Sequence, residues 1–217
     1  MKIIYEDNHL LVVEKPINVP MQEDESKDKD LLSLCKAYLK EKYHKPGNVY
    51  CGLVHRLDRP VGGVAVFAKT SKAASRLSES IRTDAFTKLY HTVIVGNLPK
   101  ETTLIDYLVK DEKTNMTKVT TKDQGKYCEL RYEKLRSIGE LTLIRIELIT
   151  GRSHQIRVQF SSRGCPLWGD ARYKPSSKPG QQLALWATSL SFPHPITQEV
   201  MTFKSELPRT QPWNQFE

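Results

Sequence analysis

Residues 52–63 read GLVHRLDRPVGG. His55, Arg56, Asp58 and Arg59 stand within five positions, with Pro60, Gly62 and Gly63 behind them. A carboxylate among cations stays ionised, because the opposite charge lowers its pKa. Such an aspartate can serve as nucleophile or base. The same pattern also describes a salt bridge, or a turn in which aspartate bonds its own backbone. Polar residues at a strand end on a glycine-permitted turn are where sites are often presented. Taken locally, the turn reading of Asp58 is the commoner one.

Two further stretches carry usable chemistry. KLYHTVIVG, residues 88–96, puts Tyr90 on a strand, either as a half-buried aromatic or as a stacking platform for a base. TGRSHQIRVQF, residues 150–160, carries Arg152, His154, Gln155 and Arg157. Its planar guanidinium groups suit phosphate or carboxylate, or face water from a helix. The H-x-x-D of His55 and Asp58 has no His or Cys at ligand spacing, and arginines crowd both clusters. Metal binding is therefore rejected. A carboxylate-dependent hydrolase would call for a second working acid, and Asp170 in WGDARY is the one candidate nearby.

These residues need elements to position them. HLLVVEKP reads as a short buried strand ended by Pro16, and NVPMQEDESKDKD as a loop. Leu31, Leu32, Cys35, Tyr38 and Leu39 recur at helical spacing until HKPGN breaks the helix. VYCGLV and GVAVFAKT are β-rich and flank the Asp58 turn, and Ala73, Ala74, Leu77 and Ile81 mark a second helix. Residues 110–126 carry five lysines and read as a loop or weak hairpin. YCELRYEKLRSIGELTLIRIELIT predicts two strands joined at SIGE. GRSHQIRVQFSSRG reads as a loop entering a short helix, and LALWATSLSFPHP as a strand. Strands outnumber helices without regular βαβ alternation, which argues for an α+β fold.

The chain has 217 residues, 39% of them apolar, and suits one domain over 1–217 with a tail at about 205–217 that is loose unless Trp213 and Phe216 dock it. Its net charge of +8 favours a polyanionic partner. Cys35, Cys51, Cys128 and Cys165 form no C-x-x-C pair and read as buried free thiols of a reducing, cytoplasmic protein. Glu6 and Asp7 stand where a signal peptide needs apolar residues, and no apolar run approaches the ~20 residues of a membrane span.

In motif and order the chain resembles the RluA-type family of pseudouridine synthases. The motifs are EKPINVP, HRLDRPVGGVAVFAK, KLYHTVIVG, TGRSHQIRVQFSSRGCPLWGDARY and LALWATSLSFPHP, over about residues 5–203. The resemblance implies a cofactor-free, metal-free isomerisation of uridine to pseudouridine in structured ribosomal or transfer RNA. It implies a mixed, largely antiparallel sheet split by a basic active-site cleft, flanked by helices and loops, in a monomer. Residue by residue, Asp58 matches the catalytic aspartate, Tyr90 the tyrosine that packs on the target base, and Arg157 the arginine that pairs with the aspartate. Arg56 matches the arginine that holds RNA around the extruded nucleotide. His55, Arg59, Arg152 and His154 are further RNA-binding candidates. Val61-Gly62-Gly63 replaces the family's usual Thr-Ser-Gly, and Asn18 replaces a glycine. The first ~50 residues lack room for the appended RNA-binding domain of many relatives. The alternative is a non-catalytic RNA-binding module of the same fold.

Overall fold

A computed structural model describes residues 1–174, Ser177 and residues 180–217. It divides into two compact units, Met1–Thr87 with Ala187–Glu206, and Lys88–Trp186 with Leu207–Glu217. The fold class is α+β, with strands that pair mostly antiparallel and few helices.

The first unit is built on β4 (Gly62–Ala68), whose seven residues GGVAVFA are all buried. A strand covered on both faces reads as a continuous apolar run rather than an alternation. β4 pairs antiparallel with β2 (Leu10–Lys15) and with the short β3 (Gly52–Leu53), and β2 pairs with β1 (Lys2–Glu6). Helix α2 (Ser71–Arg82) starts at Thr70, whose hydroxyl accepts the Ala73 N–H at 3.1 Å. Its Ala73 and Leu77 join Leu10, Val12, Val64, Val66, Phe86 and Phe192 in the core. Each fully buried Leu, Val or Phe of that set contributes about 1.5–3 kcal/mol. Helix α1 (Leu31–Lys42) is capped by Asp30, and it buries Leu31, Cys35 and Leu39. β11 (Val200–Lys204), a strand unforeseen from sequence, pairs with β10 (Leu185–Pro193).

The second unit is an antiparallel array of β5 (Thr87–Val95), β6 (Glu101–Asp111), β7 (Met116–Thr120), β8 (Lys126–Ile138) and β9 (Leu141–Leu148). The pairing order is β5–β9–β8–β6–β7. The lysine-rich segment is thus an ordered hairpin end, β6 to β7, rather than a loop. The β8–β9 turn falls at Gly139, where φ is +57°. Helix α3 (Gln155–Ser161) follows β9. The tail expected to be loose is held: Trp213 is 6% exposed and packs with Val93, Leu143 and Trp186. No helix among the described residues is long and apolar enough to cross a membrane.

Candidate active site

Asp58 sits half-buried on the turn that leads from β3 into β4. Where the β3 backbone leaves the sheet, the His55 side chain continues the ladder. Its Nε2 accepts the Val66 N–H at 3.1 Å, and its ring lies 5.7 Å from that of Phe86. Leu57 is buried and anchors the turn from beneath, while Arg56 is exposed. The Val61 N–H closes the turn on the Asp58 carbonyl at 3.0 Å.

The principal brace is Lys15, the last residue of β2 and fully buried. Its Nζ donates to the carbonyls of Val61 (2.6 Å), Arg59 (2.9 Å) and Pro16 (3.1 Å). Burial pushes the Lys15 ammonium down to about 7; the Asp58 charge pulls it up and that of Arg59 pushes it further down. Lys15 stands opposite Gly63 in the β2–β4 register. Gly63 has φ +116°, and a Cβ there would stand 2.2 Å from the Ala187 carbonyl oxygen. Only glycine fits. The third residue of Val-Gly-Gly is therefore fixed by sterics, and the turn is held by a lysine that grips backbone carbonyls. Asn18 has φ +62°, a left-handed conformation that asparagine tolerates better than most side chains, which accounts for its standing in a glycine's place.

Arg59 does not point to an unoccupied surface. It donates to Ser26 Oγ at 2.8 Å and pairs with Asp24 and Asp28 in the loop before α1. That loop already partly neutralises this cation.

In the second unit, Tyr90 lies on β5 opposite Ile146 and is 5% exposed. Lys88, Tyr90 and Thr92 share one face of β5 by the two-residue alternation, and all three are buried. The Lys88 Nζ lies 3.8 Å from the point where a Gly151 Cβ would stand, beside the TGRSHQIR loop.

That loop is tied down by amide side chains. Gln155 Oε1 accepts from the Thr150 hydroxyl (2.8 Å) and the Arg152 N–H (3.0 Å). Its Nε2 donates to the Glu129 carbonyl and to Gln159. Gln159 in turn donates to Asp106 at 2.8 Å. His154 takes φ +52°, with Nδ1 2.8 Å from the Tyr173 hydroxyl. Arg152 is exposed, and its Nε donates to the Tyr127 carbonyl at 2.9 Å.

Arg157 is 5% exposed and points away from the solvated helix face that its charge alone would allow. Its Nε and Nη2 donate to Asp170 at 2.8 and 2.7 Å, and its guanidinium carbon lies 5.1 Å from the Tyr173 ring centre. Asp170 Oδ1 also accepts the backbone N–H groups of Arg172 and Tyr173. A carboxylate so saturated holds an arginine in place. It is not the second working acid that a hydrolase would call for.

Among the predicted residues, His154 and Arg157 come together around Tyr173, and Asp58, Arg59 and His55 share one turn. Sequence reasoning missed Tyr173, Lys15 and Lys88. Lys15 closing an apolar strand and Lys88 two residues before Tyr90 were the available signals.

The model of a family described as RNA pseudouridylate synthase matches residues 9–162. An RNA pseudouridine synthase of Aquifex aeolicus is 34% identical over 97% of this chain and 70% of its own. Ribosomal large subunit pseudouridine synthase D of Pseudomonas aeruginosa is 32% identical over 98% of this chain and 70% of its own. Among solved structures, human RNA pseudouridylate synthase domain containing 4 superposes with a TM-score of 0.81 at 22% identity, covering 96% of this chain and 89% of that one. The turn that carries Asp58, the β5 strand of Tyr90 and the Arg157 helix thus lie in a chain that belongs to the RNA pseudouridylate synthase family.

Proposed function

We propose that this protein isomerises a uridine of ribosomal RNA to pseudouridine, with Asp58 as the working carboxylate. The relatives' name, ribosomal large subunit pseudouridine synthase, supports ribosomal over transfer RNA, and a bacterial ribosomal substrate would be met in the cytoplasm. The reaction needs no external reactant. The N1–C1′ bond breaks, the uracil turns, C5 joins C1′, the C5 proton leaves and N1 gains one. Asp58 acts at the sugar or the base while ionised. Arg157 sustains that charge, which a partly dry site would otherwise neutralise. Tyr90 packs on the base, so that the detached uracil does not escape. The nucleotide must leave its helix to be reached, which gives Arg56, Arg152 and His154 a role on the displaced strand.

The observation that carries this reading is the braced turn. A surface aspartate needs no buried lysine bonded to three neighbouring carbonyls; a carboxylate that must be aimed does. The test is tritium release from ribosomal RNA labelled at uridine C5, prepared from a host strain lacking this gene. Wild type should release tritium, and Asp58→Ala and Asp58→Asn should not. Absence of release by wild type would overturn the reading. Release by either variant would remove Asp58 from the chemistry.

A further inference from the structure

A cavity of about 400 Å³ lies in the second unit between β6, β7, β8 and the loop before α3. Leu108, Lys110, Thr117, Lys126, Gly151 and Arg152 are among its lining residues. Its volume suits a single nucleotide, since small-molecule sites run from ~300 to ~1,000 Å³. Three cations line it against one carboxylate, Glu112, which pairs with Lys110 at 2.5 Å. Leu108, 4% exposed, supplies an apolar wall.

The independent sign of a ligand is Thr117. It is 4% exposed, and its hydroxyl makes no well-formed hydrogen bond among the described residues, with the Tyr173 hydroxyl as its one polar neighbour there. A hydroxyl so weakly engaged on a cavity wall keeps bonding capacity that a ligand can use. Gly151 adds backbone without a side chain, which lets a ligand approach closely. The Thr117 N–H also donates to the Tyr173 hydroxyl at 3.0 Å, and Tyr173 carries the Arg157 guanidinium on its ring. The cavity wall is therefore continuous with the Arg157 support.

We propose that this cavity is a nucleotide subsite for the RNA strand flanking the target uridine. It takes one splayed-out nucleotide, with Lys110 and Lys126 on its phosphates and the Thr117 hydroxyl bonded to its base or ribose. Concave sites of this kind read unstacked nucleotides, which a regular RNA helix does not offer. The inference rests on the RNA pseudouridine synthase reading and names a contact made by that substrate.

The test has two arms on the full chain. In the first, KM and kcat for unmodified ribosomal RNA are measured for Lys110→Ala/Lys126→Ala and for Thr117→Val. The double variant should raise KM about tenfold, leave kcat at saturating RNA within about twofold, and flatten the log–log salt slope by about 1.4. Thr117→Val should raise KM while melting close to wild type, because the lost hydroxyl makes no well-formed bond among the described residues. In the second arm, RNA carrying 4-thiouridine is photocrosslinked to Asp58→Asn protein and the crosslinked peptide is identified. Crosslinks within residues 108–126 or 151–153 support the subsite, even should wild type fail to release tritium. Unchanged KM and salt slope, with no crosslink in those segments, overturn it, and tritium release by wild type would then leave the proposed function standing alone.

Discussion

Arg157 and Asp170 form a doubly bonded ion pair, Nε to Oδ2 at 2.8 Å and Nη2 to Oδ1 at 2.7 Å, with side chains 6% and 1% exposed. Breaking a buried ion pair by removing one partner costs about 3–5 kcal/mol. Asp170→Asn should therefore lower the melting temperature by roughly 6–20 °C in a chain of this size. Replacing both partners with apolar residues, Arg157→Met/Asp170→Leu, should recover most of that loss. Turnover should not recover with it if Arg157 serves the reaction. Calorimetry beside tritium release separates the two, and a double variant that regained activity would reduce Arg157 to scaffold.

The order of strands and helices around the three motifs was legible because its signals are local. Apolar, β-rich runs marked β2, β4 and β5, alternation marked β8 and β9, period-3.6 patterns marked α1 and α2, and glycine or proline punctuated their ends. β1, β6 and β11 escaped because KIIYE, ETTLIDYLVKD and VMTFK alternate weakly, and their pairing partners β2, β8 and β10 decide their fate. Lys15 reads in sequence as a charge closing a strand. Its burial follows from three carbonyls, two of them 44 and 46 residues further along the chain, which no local pattern encodes. Asp170 looked like a spare acid for the same reason, since its partner lies 13 residues away. Arg59 reads in sequence as a cation beside Asp58, and its ion pairs with Asp24 and Asp28 join residues more than 30 positions apart.

Lys15 makes stability depend on pH in a particular window. Its folded pKa is about 7, against 10.5 for an ordinary lysine. Between those values the unfolded chain binds more protons, so stability rises with pH; the penalty is complete below about 7 and absent above about 10.5. Lys15→Met removes that term and leaves the Arg59 and Val61 carbonyls unbonded, at about 1–3 kcal/mol each. The stability difference between wild type and variant should widen as pH rises from 7 to 10, by up to about 1.4 kcal/mol per unit at its steepest. Urea unfolding across that range measures it, and parallel curves would show that Lys15 is not the titrating group.

Gly63 should tolerate no side chain. An alanine there combines φ +116° with a Cβ 2.2 Å from the Ala187 carbonyl oxygen. Gly63→Ala should cost more than about 3 kcal/mol or prevent folding. Gly47→Ala is the control, because nothing lies within 4 Å of its Cβ position, and it should stay within about 0.5 kcal/mol of wild type. Chemical denaturation of the pair tests this, and a stable Gly63→Ala protein would mean that the turn after Asp58 is far more yielding than its backbone contacts imply.

Val61→Thr restores the hydroxyl that relatives usually carry at the first position after the turn. Val61 is 2% exposed, and its backbone is already engaged twice, through its N–H to Asp58 and through its carbonyl to Lys15. A hydroxyl placed there without a partner should cost about 1–3 kcal/mol. It should not improve aim, because Lys15 and Gly63 hold the turn through backbone groups that the substitution leaves alone. The expectation is lower stability with kcat within about twofold of wild type, read by urea unfolding and tritium release on one preparation. A severalfold rise in kcat at unchanged stability would mean that the hydroxyl aims Asp58 in a way the lysine brace does not match.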